Sequence, residues 1–193
     1  APQEPDCPEN NRFLSYEWTS GCGSMMEVTV DPKSWHISLI KDLQNRGPVM
    51  LDHITAFLSI NPKIVSLLLC ADNDIRVMNH LYRGLDQVTN VLAFPLDKDL
   101  QWTYDMPGSE KTIGDIAIAG EAVLDEANKA GIAAGDHLLH LFTHGVLHLL
   151  DYDHDHDIAA AEMEGLEVHL LALMKVESPY RDDDQIFGIR EAG

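Results

Sequence analysis

The run His144-Gly145-Val146-Leu147-His148 constrains this chain more than any other, because it fixes two imidazoles four residues apart inside an apolar segment. In a helix such residues lie one above the other on one face, so both rings can reach a common ion. The pattern predicts that helix over residues 137–150, with Asp136 as its N-cap. Leu138, Leu139, Leu141, Phe142, Val146, Leu147 and Leu150 make it apolar over most of its circumference, so it must run through the core. Imidazoles buried there need partners. A third ligand has to come from elsewhere, and the polar Asp151-Tyr152-Asp153 can end the helix and fold His154 back. His156 competes with His154 in the run His154-Asp155-His156-Asp157, and spacing alone does not separate them. Three neutral imidazoles with an open fourth position form the ligand set of a catalytic zinc. Structural zinc sites are closed and rich in cysteine, and no Cys lies nearby.

His137, His140, His144 and His148 share one stripe, which raises a rival site within the helix. Eight residues separate His140 from His148, about 12 Å of rise, too far for one ion whose bonds to nitrogen are about 2.0 to 2.1 Å. His137 and His140 are therefore read as surface or core histidines. A protease of the H-E-x-x-H kind is disfavoured too, since the residue after His144 is Gly145 and no carboxylate base stands there. A metal can still lower the pKa of water enough to make a nucleophile. Attack on a phosphodiester then calls for a cation to meet the developing negative charge.

The remainder of the chain sets limits. Its 193 residues suit one domain, and a net charge of −19 excludes a broad phosphate-binding surface, so any nucleic-acid site must be a local basic patch. No apolar run approaches a membrane span and the N-terminus lacks a signal-peptide pattern, which gives the expectation of a cytosolic protein. Cys7, Cys22 and Cys70 are odd in number and widely spaced, and read as reduced thiols, with a Cys7–Cys22 bridge as the alternative.

Residues 1–24, rich in Pro, Asn and Gly, read as an N-terminal extension or tag, flexible unless it packs on the domain. Residues 25–177 form the single predicted catalytic domain, and 178–193 an acidic, solvated tail. Strands are predicted at 27–31, 63–70, 89–95 and 114–119. Besides the histidine helix, helices are predicted at 49–60, after Asp72 with Ile75, Met78 and Tyr82, at 121–130 closed by Gly131, and at 158–176 with Met163, Leu166, Leu170 and Leu173 on one side. The loop of about 15 residues from Leu96 to Thr112 is long enough for a functional flap.

His144 to His154 closely resembles the H-G-x-L-H-L-x-G-Y-D-H signature of the YbeY family of metal-dependent endoribonucleases. Asn79-His80-Leu81-Tyr82-Arg83 is similar to its N-x-x-[FY]-R, Thr89-Asn90-Val91-Leu92-Ala93-Phe94-Pro95 to its T-D-V-L-S-F-P, and Gly114-Asp115-Ile116-Ala117-Ile118 to its G-D-I-x-I. The resemblance implies an α+β fold: a small mixed four-stranded sheet packed against about five helices, with the metal site on a core helix and the following loop. It implies that His144, His148 and His154 bind one Zn2+ per chain, choosing His154 over His156, and that Arg83 joins His144 and His148 as a catalytic residue. Nickel or another divalent metal suits three imidazoles as well. The implied activity is zinc-dependent endoribonuclease cleavage of single-stranded RNA in bacterial cytoplasm. It would serve rRNA maturation, including 16S-type 3′ end processing, and ribosome quality control, with small-subunit ribosomal proteins as partners and neither DNA nor membrane. Two other readings stand beside it: a ribosome-assembly binding factor with a mainly structural metal, favoured by the acidity, and a metal-dependent hydrolase of another substrate. The chain departs from the family pattern at Asp151, where a glycine is usual, and at Asn90 and Ala93 in place of Asp and Ser. Asp151 falls where a left-handed backbone is expected, and its carboxylate is a candidate partner for a ligand imidazole.

Overall fold

The computed structural model describes residues 12–61, 63–96 and 112–180. Ten elements follow one another: β1 (Leu14–Thr19), β2 (Met25–Val30), α1 (Ile37–Phe57), β3 (Ile64–Cys70), α2 (Asp72–Arg83), β4 (Val91–Pro95), β5 (Thr112–Ala119), α3 (Gly120–Ala130), α4 (Ala134–Leu149) and α5 (Asp157–Leu173). The strands form one mixed sheet in the order β1-β2-β3-β5-β4, with β2, β3 and β5 parallel and both edge strands antiparallel. Period-two alternation gives the sheet two faces. Val28, Val30, Leu67, Leu69, Ile116 and Ile118 point into the main core with α1, α4 and α5, while Leu92, Ala117 and Ala119 join Ile75 of α2 in a smaller one. The histidine helix α4 lies at the centre, against α1, α3, α5, β4 and β5.

The sheet has five strands rather than the expected four. The extra one, β1, comes from the stretch read as an extension, which packs on the domain by pairing Leu14–Thr19 with Met25–Val30. Only Trp18 of β1 is buried. The strand's apolar residues alternate, but they stand between turn-rich stretches at the edge of the sheet, where burial reinforces only one of them. Residues 1–11 with Cys7, the 97–111 part of the expected flap, and 181–193 of the expected tail lie outside the described residues; Cys22 is exposed and Cys70 buried, both as free thiols.

Helix α1 begins at Ile37, twelve residues before the predicted start, and runs through Pro48. An interior proline costs about 3 kcal/mol. Burial of Ile40, Leu43, Met50, Leu51 and Ile54, each contributing about 1.5 to 3 kcal/mol, outweighs it. Asp136 is not the N-cap of α4: that position is Ala133, and Asp136 sits in the first turn, paired with Arg46 at 2.8 Å. The last helix ends at Leu173 rather than Val176, and Leu173 is exposed while Met163 and Leu170 are buried.

Two ties hold the frame around the site. Helices α2 and α3 cap each other: Asp72 N–H donates to Glu121 Oε2 at 3.0 Å, and Ala122 N–H donates to Asp72 Oδ1 at 3.0 Å. Each carboxylate thus satisfies an open amide in the other helix's first turn. Arg12 clamps the approach to β1 onto Asp31 and Asp74, both at 2.6 Å. Burial alone would raise the Asp31 carboxyl, but bonds from Arg12, Lys33 N–H and the Ser34 hydroxyl outweigh it and hold Asp31 below the usual carboxylate range. A group depressed on folding contributes stability above its unfolded pKa, about 3.9 for Asp, and loses it as pH falls through the folded value. Arg12→Ala is therefore expected to move the acid-unfolding midpoint toward neutral pH. Circular dichroism across pH 2 to 6 reads the midpoint, and coincident curves for variant and parent would refute the clamp.

Candidate metal centre

Helix α4 supplies two of the three imidazoles. His144 and His148 project from one face, with Nε2 atoms 2.9 Å apart and ring centroids 4.5 Å apart. The helix passes close over the sheet at Gly145, where an added Cβ would lie 3.0 Å from Ile116 Cδ1. A larger residue after His144 would have to push the Ile116 side chain aside by a few tenths of an ångström. The helix then stops in a Schellman turn: Tyr152 N–H donates to Leu147 O at 3.0 Å and Asp151 N–H to His148 O at 3.1 Å. Asp151 takes the left-handed position with φ 69, as the helix-end expectation required. That turn reverses the chain and carries His154 back over the helix. Its ring lies 5.7 Å from that of His144 and 5.2 Å from that of His148.

One nitrogen from each of His144, His148 and His154 falls within 4.8 Å of the others. A tetrahedral ion with bonds of 2.0 to 2.1 Å separates its ligand nitrogens by about 3.3 Å, and a trio whose nitrogens all lie within 4.8 Å, two of them 2.9 Å apart, is of the size such an ion needs. The donors are chemically suited as well. Burial first, then the neighbouring His144 and His154, push His148 down to about 4, which leaves it an unprotonated donor at neutral pH. His156 stands apart as the N-cap of α5, and His137 turns away to Glu126 at 2.7 Å. Spacing left His154 and His156 unseparated; the turn brings His154 to the pair.

A residue that sequence reasoning passed over stands behind this trio. Glu167 of α5 is fully buried, and its Oε1 meets His144 Nδ1 at 2.8 Å while its Oε2 meets His140 Nε2 at 2.8 Å and the Tyr180 hydroxyl. Burial would raise this carboxyl, yet the bonds from His140 and His144 prevail and bring it down to about 2. One signal was present. Glu167 interrupts the buried stripe Met163, Leu170, Leu171 of α5, where an acid needs a partner.

The histidines open into a cleft of about 660 Å3 whose lining also includes Arg83, Thr89, Asn90, Ala93 and Asp151. Arg83 is the last residue of α2, before the left-handed Gly84. The loop beyond is stapled back by Asn79 Nδ2, which donates to Gln87 O at 3.0 Å, and by Arg76 on Asp86 at 2.7 Å. Arg12, Arg46 and Arg76 each pair with carboxylates, whereas Arg83 has no ion pair among the described residues. Asn90 donates to both Glu126 oxygens, at 3.2 and 3.0 Å, and Glu126 also meets His137. An aspartate at position 90 would repel Glu126, so the two residues are matched to each other.

A family model described as Endoribonuclease YbeY matches residues 31–175, a stretch that takes in the three histidines, Glu167 and Arg83. The chain belongs to the YbeY family. Among similar proteins named Endoribonuclease YbeY, one from Rhodospirillum rubrum is 45% identical over 122 residues, covering 63% of this chain and 60% of its own length. One from Rhodopseudomonas palustris (strain BisB5) is 41% identical over 124 residues, covering 63% and 64% respectively. One from Sphingopyxis alaskensis is 39% identical over 122 residues, covering 62% and 73%. The chain thus spans less than two thirds of the length of the first two family members. No helix among the described residues is long and apolar enough to cross a membrane.

Proposed function

We propose that this chain is a metal-dependent endoribonuclease that cleaves single-stranded RNA, acting in rRNA maturation, including 16S-type 3′ ends, and in ribosome quality control in the bacterial cytoplasm. The observation that carries the reading is that three convergent imidazoles and an arginine without an ion pair among the described residues line one cleft. The relatives' printed name, Endoribonuclease YbeY, supports RNA as the substrate. His144, His148 and His154 would hold the ion, with zinc suited to three imidazoles and nickel or another divalent metal as the competitor. When bound, the ion supplies Lewis acidity and makes water nucleophilic at neutral pH.

The chain's own residues do the rest. Arg83 presents a planar cation to the phosphate oxygens, where charge develops during hydrolysis. Its worth is raised by the surroundings: in a chain of net charge −19, a phosphate finds few other attractive points, so the RNA is held at the cleft rather than along a broad surface. Gly145 lets α4 lie close on Ile116 of the sheet and offers no side-chain base, which sets this site apart from a peptidase of the H-E-x-x-H kind. A cleft open at the surface suits a flexible single strand, whose phosphates can bend into it.

Arg83→Ala is expected to lower the turnover of metal-loaded protein on a single-stranded rRNA precursor fragment by about 100- to 1,000-fold, with metal content unchanged. Cleavage is read on gels against a duplex of the same sequence. Equal turnover by parent and variant would overturn the catalytic reading. Retained complementation of a deletion strain by folded, metal-free variants would instead favour an assembly factor, and cleavage of small esters but not RNA would favour a hydrolase of another substrate.

A further inference from the structure

We propose that Glu167 is the positioning residue of the metal centre, fixing the tautomer and ring orientation of His144, and that His140 and Tyr180 hold Glu167 in turn. The inference rests on the reading of His144 as a ligand. Its geometry divides the carboxylate into two halves. Oε2 receives His140 Nε2 at 2.8 Å and the Tyr180 hydroxyl, and these two donors fix the plane of the group. Oε1 is thereby aimed at His144 Nδ1, 2.8 Å away.

An ionised carboxylate only accepts, so the proton on His144 lies on Nδ1 and the lone pair on Nε2. That is the nitrogen 2.9 Å from His148 Nε2, on the side where the three imidazoles converge. His140 is oriented the same way: its Nδ1 is buried without a partner among the described residues, so its proton serves Glu167 from Nε2. The carboxylate also polarises the His144 ring and raises its basicity as a ligand. A glutamine could accept from one donor through its oxygen, but its NH2 would face either His144 or the pair formed by His140 and Tyr180, and it carries no charge.

The assignment joins three regions of the chain. His140 and His144 lie on α4, Glu167 on α5, and Tyr180 beyond the end of α5, where Ser178 shapes a local turn by accepting from Tyr180 N–H at 3.2 Å. The segment after α5 therefore contributes to a centre whose three candidate ligands all precede α5.

The test uses the full chain, with zinc alone as the probe. Nitrogen-15 spectra of the histidine rings in metal-free protein read the His144 tautomer, and competition against a chromogenic chelator reads zinc affinity. In the parent protein His144 is expected to carry its proton on Nδ1. Glu167→Gln is expected to mix the tautomers and weaken zinc binding about 10- to 100-fold. Tyr180→Phe, which keeps the carboxylate and both imidazole contacts, is expected to weaken it roughly two- to tenfold. A purely structural Glu167 would lower thermal stability and leave both readouts in place. A His144 proton on Nε2 in the parent, or parent-like zinc affinity in a folded Glu167→Gln, overturns the proposal. If Glu167→Gln does not fold, parent-like affinity in Tyr180→Phe or an Nε2 proton in the parent does so. Absence of zinc binding by the parent would sink the ligand reading instead, while the tautomer still decides whether Glu167 orients His144.

Discussion

His148→Ala is expected to remove stoichiometric metal from the purified protein, with zinc affinity falling by about 100- to 1,000-fold, roughly a quarter to a third of a site's binding free energy. His148 is the cleanest of the three positions for this test. His144 also bonds to buried Glu167, so deleting it would take one of three partners from a buried charge and confuse loss of metal with loss of fold. His148 touches His144 and His154 and lines the cleft, and among the described residues it bonds to no buried carboxylate. Elemental analysis of the variant beside His156→Ala reads the result. Position 156 caps α5 outside the trio, so its alanine variant is expected to keep one ion per chain. Metal retained by His148→Ala, or lost equally from both, would refute the trio as the site. Chelation carries a related expectation. The main core, from Trp18 to Val176, is assembled without the histidines, so the stripped protein is expected to stay folded with a lower melting temperature, by mass action.

The second large effect lies at Gly114 in β5. Its φ is +149, and an added Cβ would sit 2.4 Å from Phe94 O, 2.8 Å from Leu149 Cδ2 and 3.1 Å from Pro95 Cα. Two of these three neighbours are backbone atoms of the paired strand β4, which cannot swing aside as a side-chain tip can. Leu149 follows His148, so the strain reaches the histidine helix as well. Gly114→Ala is expected to cost about 4 kcal/mol or more, combining the backbone penalty with overpacking. That is a large share of a net stability of roughly 5 to 15 kcal/mol. Urea unfolding monitored by fluorescence gives the figure, and a loss below about 0.5 kcal/mol would show that the strands can part at this point without consequence.

The residues differ in how far their roles could be read beforehand. The histidine helix was legible because an apolar circumference and a four-residue spacing are both local properties, and local properties survive folding. Spacing did not separate His154 from His156 as its third partner, and only the family motif chose His154, because the choice depends on a left-handed turn at Asp151 that reverses the chain. Glu167 stayed hidden among 32 acidic residues, and its meaning appears only when α5 is laid against α4. Leu14, Tyr16 and Trp18 do alternate with polar residues, but β1 lies at the sheet's edge between turn-rich stretches, which masked it. The first half of α1, before Pro48, was missed and the helix was placed only from residue 49, because the burial that carries it through Gly47 and Pro48 comes from the sheet and from other helices. Arg83 is the extreme case. Nothing in its own helix separates it from a surface charge, and only the family motif, and then the shared cleft, set it apart.

The mutual capping of α2 and α3 bears on Arg83 in a mechanical sense. Asp72, at the first position of α2, is fastened on both its amide and its carboxylate, while Arg83 occupies the far end of the same rod. Eleven residues of helical rise put them about 17 Å apart. The far end is held as well, by the Asn79–Gln87 staple and the Arg76–Asp86 pair, and these ties together oppose a tilt that, at only about 5° about the Asp72–Glu121 pair, would sweep the Arg83 backbone through roughly 1.5 Å, half the length of a hydrogen bond. The aim of the guanidinium therefore depends on ties at both ends of the helix, including two carboxylates that lie outside the cleft.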